Sequence, residues 1–379
     1  LNTARFEMRI IPNVYAYQAN TLMSIKDIMY PSTQAIDGAL GGIDQSQIIA
    51  FGAEIPGLAF SYKINKDKKE LLTLSLSNKT RVLNNTLLGA NLLRLLWDGN
   101  KQFEGQTVEL GNIGASAIGA TEIALGWAMP FVIAEKYKIR AGASFKYFLS
   151  PGGGYLPETN SNFTTTSGGK SISLSDVNYI VQTSTADENT LFPGKGMGMD
   201  LSVSMDFMED FTASLAVLDI GSITYSANTY SFQYAGEIYY QGIEDDNIFI
   251  NDETKEYSII DTDNWITEDS NQTFSISLPT RMVVQVEKNI MSETNKNERE
   301  YIKHGMYFTY IQGFSNIAGT TNRPYFSGGY SYSLDGILNV GPTMNYGGYA
   351  GFGLGMFLSV KVGAVRIGAG SNTVLSYLI

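Results

Sequence analysis

Glu122-Ile-Ala-Leu-Gly-Trp-Ala-Met-Pro-Phe-Val-Ile133 places large apolar residues at Ile123, Leu125, Trp127, Met129, Phe131 and Ile133, alternating with Glu, Ala, Gly, Ala, Pro and Val. Successive side chains of a strand point to opposite faces, so this segment has one greasy face and one small or polar face. After Ala134-Glu135-Lys136 the alternation resumes, with Tyr137, Ile139, Ala141, Ala143, Phe145, Tyr147 and Leu149 on one side and Lys138, Arg140, Gly142, Ser144 and Lys146 on the other. Both strands exceed the roughly 10 residues that a tilted strand needs to cross a bilayer. A soluble sandwich would alternate too, but its second face would be rich in Lys, Glu, Thr and Ser for water. Here that face mixes Gly and Ala with sparse charge, as a barrel lumen would.

Composition points the same way. The 379 residues include 23 Tyr, 19 Phe and 39 Gly, with only 17% charged, a charge-poor balance for a soluble protein of this size. No run of about 18 apolar residues occurs, which excludes helical membrane spans. Without cysteine there is no disulfide, cysteine-ligated zinc or cysteine nucleophile. The net charge of −11 argues against nucleic acid as a partner. Most of it lies between Glu237 and Asp269, where eleven acidic residues accompany one basic residue, Lys255. The chain opens at Leu1 without a charged-then-apolar leader, so it is expected to be the processed or trimmed product of a secreted precursor.

The same period recurs along the chain. Strands are expected at Phe6 to Tyr17, Ile48 to Lys63 and Leu72 to Ser77, then in the hairpin above. Further strands are expected at Gly196 to Phe207, Phe211 to Asp219, Arg281 to Ile290, Tyr301 to Ile311, Tyr325 to Leu334, Ile337 to Tyr346 and from Phe352 onward. Gly196 to Phe207 is the clearest: Met197, Met199, Leu201, Val203, Met205 and Phe207 alternate with Gly, Asp and Ser. Turns near residues 65, 135, 209, 335 and 362 are short and that near 296 is modest, whereas the intervening connections are mostly long. Short turns at one end and long loops at the other are the arrangement of outer-membrane barrels, with the short turns periplasmic. The expected fold is therefore all-β, a single transmembrane antiparallel barrel spanning residues 1–379 with surface insertions at about 150–193 and 220–271. About thirteen strands are reached by Gly370, and an even count is the bacterial rule, so the complete barrel is expected to have about fourteen, the last lying beyond Ile379. A short helix is expected around Leu22 to Met29, an extra hairpin within Ile172 to Thr183, and an apolar helix over Thr86 to Trp97, too short to span and stopped by Asp98-Gly99.

The stretch Leu92-Leu-Arg-Leu-Leu-Trp-Asp-Gly-Asn-Lys-Gln-Phe-Glu-Gly-Gln-Thr-Val-Glu-Leu110, followed by the strand at Glu122 to Trp127, resembles an uncharacterised family of outer-membrane barrels from Bacteroidota. There an apolar helix ends in Trp-x-Gly-Asn and then Phe-x-Gly-x-Thr. Such proteins look similar in architecture to the fourteen-stranded long-chain fatty-acid transporters and to the shuttle barrel of type IX secretion. The resemblance covers mainly residues 50 to 150 and implies the barrel; fold analogy does not transfer an activity.

Few residues suggest chemistry. His304 is the only histidine; it shares a face with Ile302, Met306 and Phe308, has no nucleophile elbow near it, and reads as an interface or structural residue. The acidic clusters Glu244-Asp-Asp-Asn247, Asn251-Asp-Glu253 and Asp261-Thr-Asp-Asn264 lack the Asp-x-Asp-x-Asp-Gly calcium loop and read as solvated surface. Gly152 to Gly154 opens no helix, so it is not a phosphate loop. No metal, cofactor or enzymatic activity is expected.

The inward set is more informative. Alternation directs Glu122, Lys138, Arg140, Lys146, Asp200, Asp206, Arg281 and Glu287 into the lumen. They form either an ion-pair network filling the barrel or the lining of a solute route, with the parity slip at Pro56-Gly57 opening the wall sideways. Leu92, Leu95, Leu96 and Trp97 of the apolar helix either cap the mouth as a capture groove or pack on the rim. Two functions remain open for a bacterial outer-membrane protein with lipid as its solvent. One is passage or binding of a hydrophobic small molecule. The other is a non-transporting accessory subunit in a secretion or barrel-insertion assembly, with outer-membrane or periplasmic proteins as partners.

Overall fold

The alternation at 122–149 extends through the chain and folds into one antiparallel sheet. In the computed structural model, the described residues are 6–9, 14–22, 46–66, 69–134, 137–168, 171–207, 210–240, 266–270, 272–294, 300–349, 351–363 and 365–372. The strands are β1 (Phe6–Arg9), β2 (Tyr15–Asn20), β3 (Gln47–Lys66), β4 (Lys69–Leu88), β5 (Thr107–Glu109), β6 (Ile113–Ala134), β7 (Tyr137–Thr159), β8 (Asn162–Thr165), β9 (Ile172–Thr185) and β10 (Gly194–Phe207). They continue with β11 (Phe211–Tyr225), β12 (Thr229–Tyr240), β13 (Ile266–Ser270), β14 (Phe274–Ser277), β15 (Arg281–Thr294), β16 (Glu300–Gly313), β17 (Tyr325–Leu334), β18 (Leu338–Gly347), β19 (Gly353–Val362) and β20 (Val365–Ser371). Among the described residues one α-helix, α1 (Ala90–Asp98), follows β4, and no helix there is long and apolar enough to cross a membrane.

The wall begins with β1 and β2, which share one edge of β3, and continues β3, β4, β6, β7, β10 and β11. It is completed by β15, β16, β17, β18, β19 and β20, each antiparallel to the last. That makes thirteen wall positions among the described residues, the number that the sequence pattern reaches by Gly370. Among the described residues no pairing joins β20 to β1 or β2. The turn end is formed where Lys66 meets Lys69, Ala134 meets Tyr137, Phe207 meets Phe211, Leu334 meets Leu338 and Val362 meets Val365. At the opposite, loop end β9 pairs with β7, β12 and β8, β12 with β13, and β8 with β5, extending the wall into an additional sheet.

The two faces are inverted relative to a soluble protein. Leu76, Leu125, Trp127, Phe145, Met199, Leu201, Val203, Phe308 and Met356 are exposed on the outside, while Arg81, Asn85, Glu122, Lys146 and Asp219 are buried inside. In water such an exterior would be a large uncovered apolar surface; against hydrocarbon it is the favourable arrangement. Inside, aromatic rings lie flat over glycines on the neighbouring strand. Tyr17 covers Gly52, Tyr225 covers Gly194, Tyr307 covers Gly329 and Phe357 covers Gly341, each pair directly opposite in register. A Cβ at any of the four would meet the ring, so part of the glycine content is explained by a lumen that packs aromatics against its own wall.

Several local expectations are corrected. The first strand is divided into β1 and β2. Thr86 to Leu88 belong to β4, and the helix starts at Ala90, because the β4 ladder to β6 continues through Leu87. The helix is two-faced and not apolar all round: Leu92 and Leu95 pack on Phe103, Leu110 and Phe163, whereas Leu96 and Trp97 face outward. Ile172 to Thr183 is no hairpin of its own but one strand, β9, whose hairpin partner is β8. β7 and β11 run past residues 150 and 220 to Thr159 and Tyr225, since their cross-strand partners continue. The candidate helix around Leu22 to Met29, except Leu22 itself, and the acidic clusters between residues 244 and 264 lie outside the described residues.

Candidate functional site

The lumen is crossed by three layers. The deepest is a charge layer built by seven wall strands: Glu54 from β3, Lys79 and Arg81 from β4, Glu122 from β6, Lys146 from β7, Asp200 from β10, Asp219 from β11 and Arg281 from β15. Asp219 is its hub. Its carboxylate accepts from both terminal nitrogens of Arg81 at 3.1 and 3.2 Å and from Lys146 at 2.7 Å, and it pairs with Arg281 at 3.2 Å. Arg81 also binds Glu122 and lies 5.2 Å over the Phe148 ring. Lys146 reaches Asp200 at 2.7 Å and Glu122 at 3.8 Å, and Lys79 joins Glu54 at 3.5 Å and Glu122 at 3.8 Å. Four cations thus meet four carboxylates, a neutral set, with the Arg81 and Asp219 side chains each only 1% exposed.

The Arg81–Asp219 contact sets the shape. Its strands are separated in the wall by β6, β7 and β10, so four interstrand steps of about 4.8 Å each are bridged by a single ion pair. The sheet must curl tightly for that to occur. Asp219 reaches inward because a bulge interrupts the β10–β11 register between Met199 and Leu201, with Asp219 at φ +56° and Gly221 at φ +148°. The Asp219 amide donates to Asp200 at 2.7 Å and its carbonyl accepts from the Thr280 hydroxyl at 2.7 Å, which fixes the bulge.

Toward the loop end an apolar layer follows: Leu83, Ile118, Phe148, Ile223, Tyr225, Ile276 and Leu278 form one buried cluster drawn from opposing strands. The third layer is the connection 314–324, folded back over this cluster. Asn85 donates to the carbonyls of Ile317 and Thr320, Arg323 donates to the Ser46 carbonyl at 2.8 Å, and Ala318 is fully buried with its amide on Ser116 Oγ. Beside this connection a mouth pocket of about 380 Å³ is lined by Ser116, Tyr155, Leu156, Glu158, Phe314 and Asn316, among others. A second bridge spans the far side, where Tyr349, from the connection between β18 and β19, stacks on Tyr17 at 6.2 Å. Burial, then the neighbouring Tyr17, raise the Tyr349 hydroxyl pKa, so it stays neutral.

Of the residues singled out in the sequence, Glu122, Lys146, Asp200 and Arg281 meet in the charge layer. Arg140 and Asp206 form a separate pair at 2.9 Å near the turn end, each about one-third exposed. Lys138 lies opposite Asp206 in the β7–β10 register, and Glu287 is exposed and accepts from Gln285; neither is joined to the central layer by a described ion pair. At Pro56 and Gly57 the β3–β4 register slips before pairing resumes at Ala59, so the bulge is present and the wall continues on both sides of it. His304 Nδ1 is hydrogen-bonded to the Tyr330 hydroxyl, away from the lumen. Arg81, Asp219, Lys79 and Glu54 were not singled out. Continuing the inward alternation Thr73, Ser75, Ser77 by two steps reaches Lys79 and Arg81, so that signal was present. Asp219 carried no such signal, because the bulge shifts its parity.

Among solved structures, the chain is similar to one described as the CymD monoaromatic hydrocarbon channel, with 10% identity over 91% of this chain and 75% of that one and a TM-score of 0.35. It is also similar to the translocator domain of autotransporter NalP from Neisseria meningitidis, with 9% identity, 97% and 88% coverage and a TM-score of 0.33. A third is the open form of the ferric-catecholate import receptor Fiu from E. coli K12, with 8% identity, 88% and 48% coverage and a TM-score of 0.31. A search of curated proteins finds no match. Residues 2–372 match a single family model over nearly the whole chain, and the protein thereby belongs to the family described as Family of unknown function (DUF5723).

Proposed function

We propose that this chain is a non-enzymatic outer-membrane barrel that does not conduct solute through its lumen and acts as an accessory subunit, binding other envelope proteins through its loop-end surface. The observation that carries the reading is the Arg81–Asp219 pair, nearly excluded from solvent and anchored to strands on opposite sides of the charge layer. An open aqueous route would leave these groups hydrated; here the terminal nitrogens of Arg81 and the carboxylate of Asp219 find partners in the protein. The two layers above it support the same reading. The additional sheet at the loop end, together with the exposed Leu96 and Trp97 of α1, offers a surface for a protein partner. The decisive experiment combines purification in mild detergent with conductance in planar bilayers. The expected result is stoichiometric copurifying protein and no steady conductance; a stable ion-conducting state of the wild-type chain would overturn the proposal.

The second reading is binding or passage of a hydrophobic small molecule, and it is favoured by the mouth pocket with Tyr155, Leu156 and Phe314 on its wall. Its volume is within the roughly 300–1,000 Å³ of ordinary ligand sites. A lipid-like molecule recovered with the purified barrel in place of protein partners would favour this reading.

A further inference from the structure

On the outer face of the wall, away from the lumen, Tyr330, Tyr332, Val340, Gly341, Pro342 and Met356 line a groove of about 390 Å³ that is apolar throughout. It lies where the β17–β18 ladder is interrupted: pairing runs to Gly329↔Thr343 and resumes at Tyr332↔Val340. Pro342 has no N–H to contribute to the missing rungs. The surrounding surface, with Phe308, Met344 and Leu358 exposed, belongs to the apolar exterior. Next to the groove on β16 is His304, hydrogen-bonded to Tyr330 and with its ring 5.3 Å from that of Tyr332.

The groove runs along the strands with the His304 imidazole beside its turn-end side. Tyr332 and Val340 each lie two residues from the turn end at Leu334 and Leu338, and His304 lies four residues after Glu300, while Pro342 and Met356 lie nearer the middle of the wall. The end beside His304 therefore faces the membrane surface and the other end the midplane, the order of headgroup and acyl chain in a phospholipid of the turn-side leaflet. When Nδ1 of His304 accepts the Tyr330 O–H, Nε2 carries the ring proton and can donate to an anionic oxygen.

We propose that this groove is a specific phospholipid site, with one acyl chain along Val340, Pro342 and Met356 and the phosphate held by His304. The inference rests on the membrane reading alone and is independent of whether the lumen conducts. It is tested by reconstituting the full chain in nanodiscs of phosphatidylethanolamine and phosphatidylglycerol containing a phosphatidylethanolamine with a photoactivatable acyl chain, then mapping the labelled peptides. Label is expected to concentrate on residues 338–347 and 353–362. Val340→Trp, which fills the groove from the lipid side, is expected to lower that label about tenfold, equivalent to about 1.4 kcal/mol. His304→Leu is expected to weaken retention of the lipid on dilution into detergent while heat-modifiable migration stays unchanged. Label spread evenly around the wall would overturn the site, as would label concentrated on strands other than these. Should a variant fail to fold, the wild-type labelling map decides between these outcomes by itself.

Discussion

At the scale of single residues, the charge layer separates two kinds of ion pair in one lumen. Arg81 and Asp219 have left water, and their desolvation is offset only because every member of the neutral set has partners. Arg140 and Asp206, by contrast, remain about one-third exposed, where solvent screening leaves little net gain. Asp219→Asn is therefore expected to cost about 3–5 kcal/mol, because it leaves Arg81, Lys146 and Arg281 short of a counter-charge. Asp206→Asn should cost less than about 1 kcal/mol. Urea unfolding of both variants from liposomes checks this, and equal midpoints would contradict the layer's role. The layer was partly legible in the sequence. Glu122, Lys146, Asp200 and Arg281 follow from alternation, and Arg81 follows once the same period is carried two steps further, whereas Asp219 depends on a register shift that no local pattern announces.

At the scale of elements, α1 shows why an apolar run does not specify what it packs against. Leu92 and Leu95 lie over Phe103, Leu110 and Phe163, while Leu96, at 73% exposure, contributes nothing to that cluster. Leu92 and Leu95, three residues apart, share the face that meets the cluster, whereas Leu96, turned about 100° past Leu95 around the helix, lies at the exposed border of that face. Leu92→Ser is expected to weaken the local unit by about 1–3 kcal/mol, seen as faster amide exchange in residues 90–98 with the wall unaffected. Leu96→Ser should leave exchange unchanged; protection lost equally in both would show that the helix is held by something other than this cluster. The boundary between β4 and α1 departs from the sequence expectation for a related reason. Thr86, Leu87 and Leu88 suit a helix by composition, but cross-strand pairing with β6 keeps the first two in the wall.

At the scale of the whole molecule, the decisive property is which side of the wall meets hydrocarbon. Trp127 lies on the outer face among exposed apolar residues, and Trp97 lies in α1 at the loop end. A chain retaining only Trp127 should lose fluorescence in bilayers of brominated lipid, whereas a chain retaining only Trp97 should keep it. Quenching of neither would show that the apolar exterior is covered by protein.

The sequence by itself determined that the chain is a β-barrel with a greasy outside, that about thirteen strands build its wall up to Gly370, and at which end its turns are short. Those properties follow from a period of two and from the spacing of turn residues, both of which are local. The tertiary structure decided that the bore is crossed by a neutral charge layer, an apolar layer and a folded-back connection. It decided as well that Asp219 is the hub, and that a groove lies beside the outward-facing His304. These depend on strands distant in sequence being curled to within bonding distance and on bulges that reverse parity, and neither is encoded in the alternation of neighbouring residues.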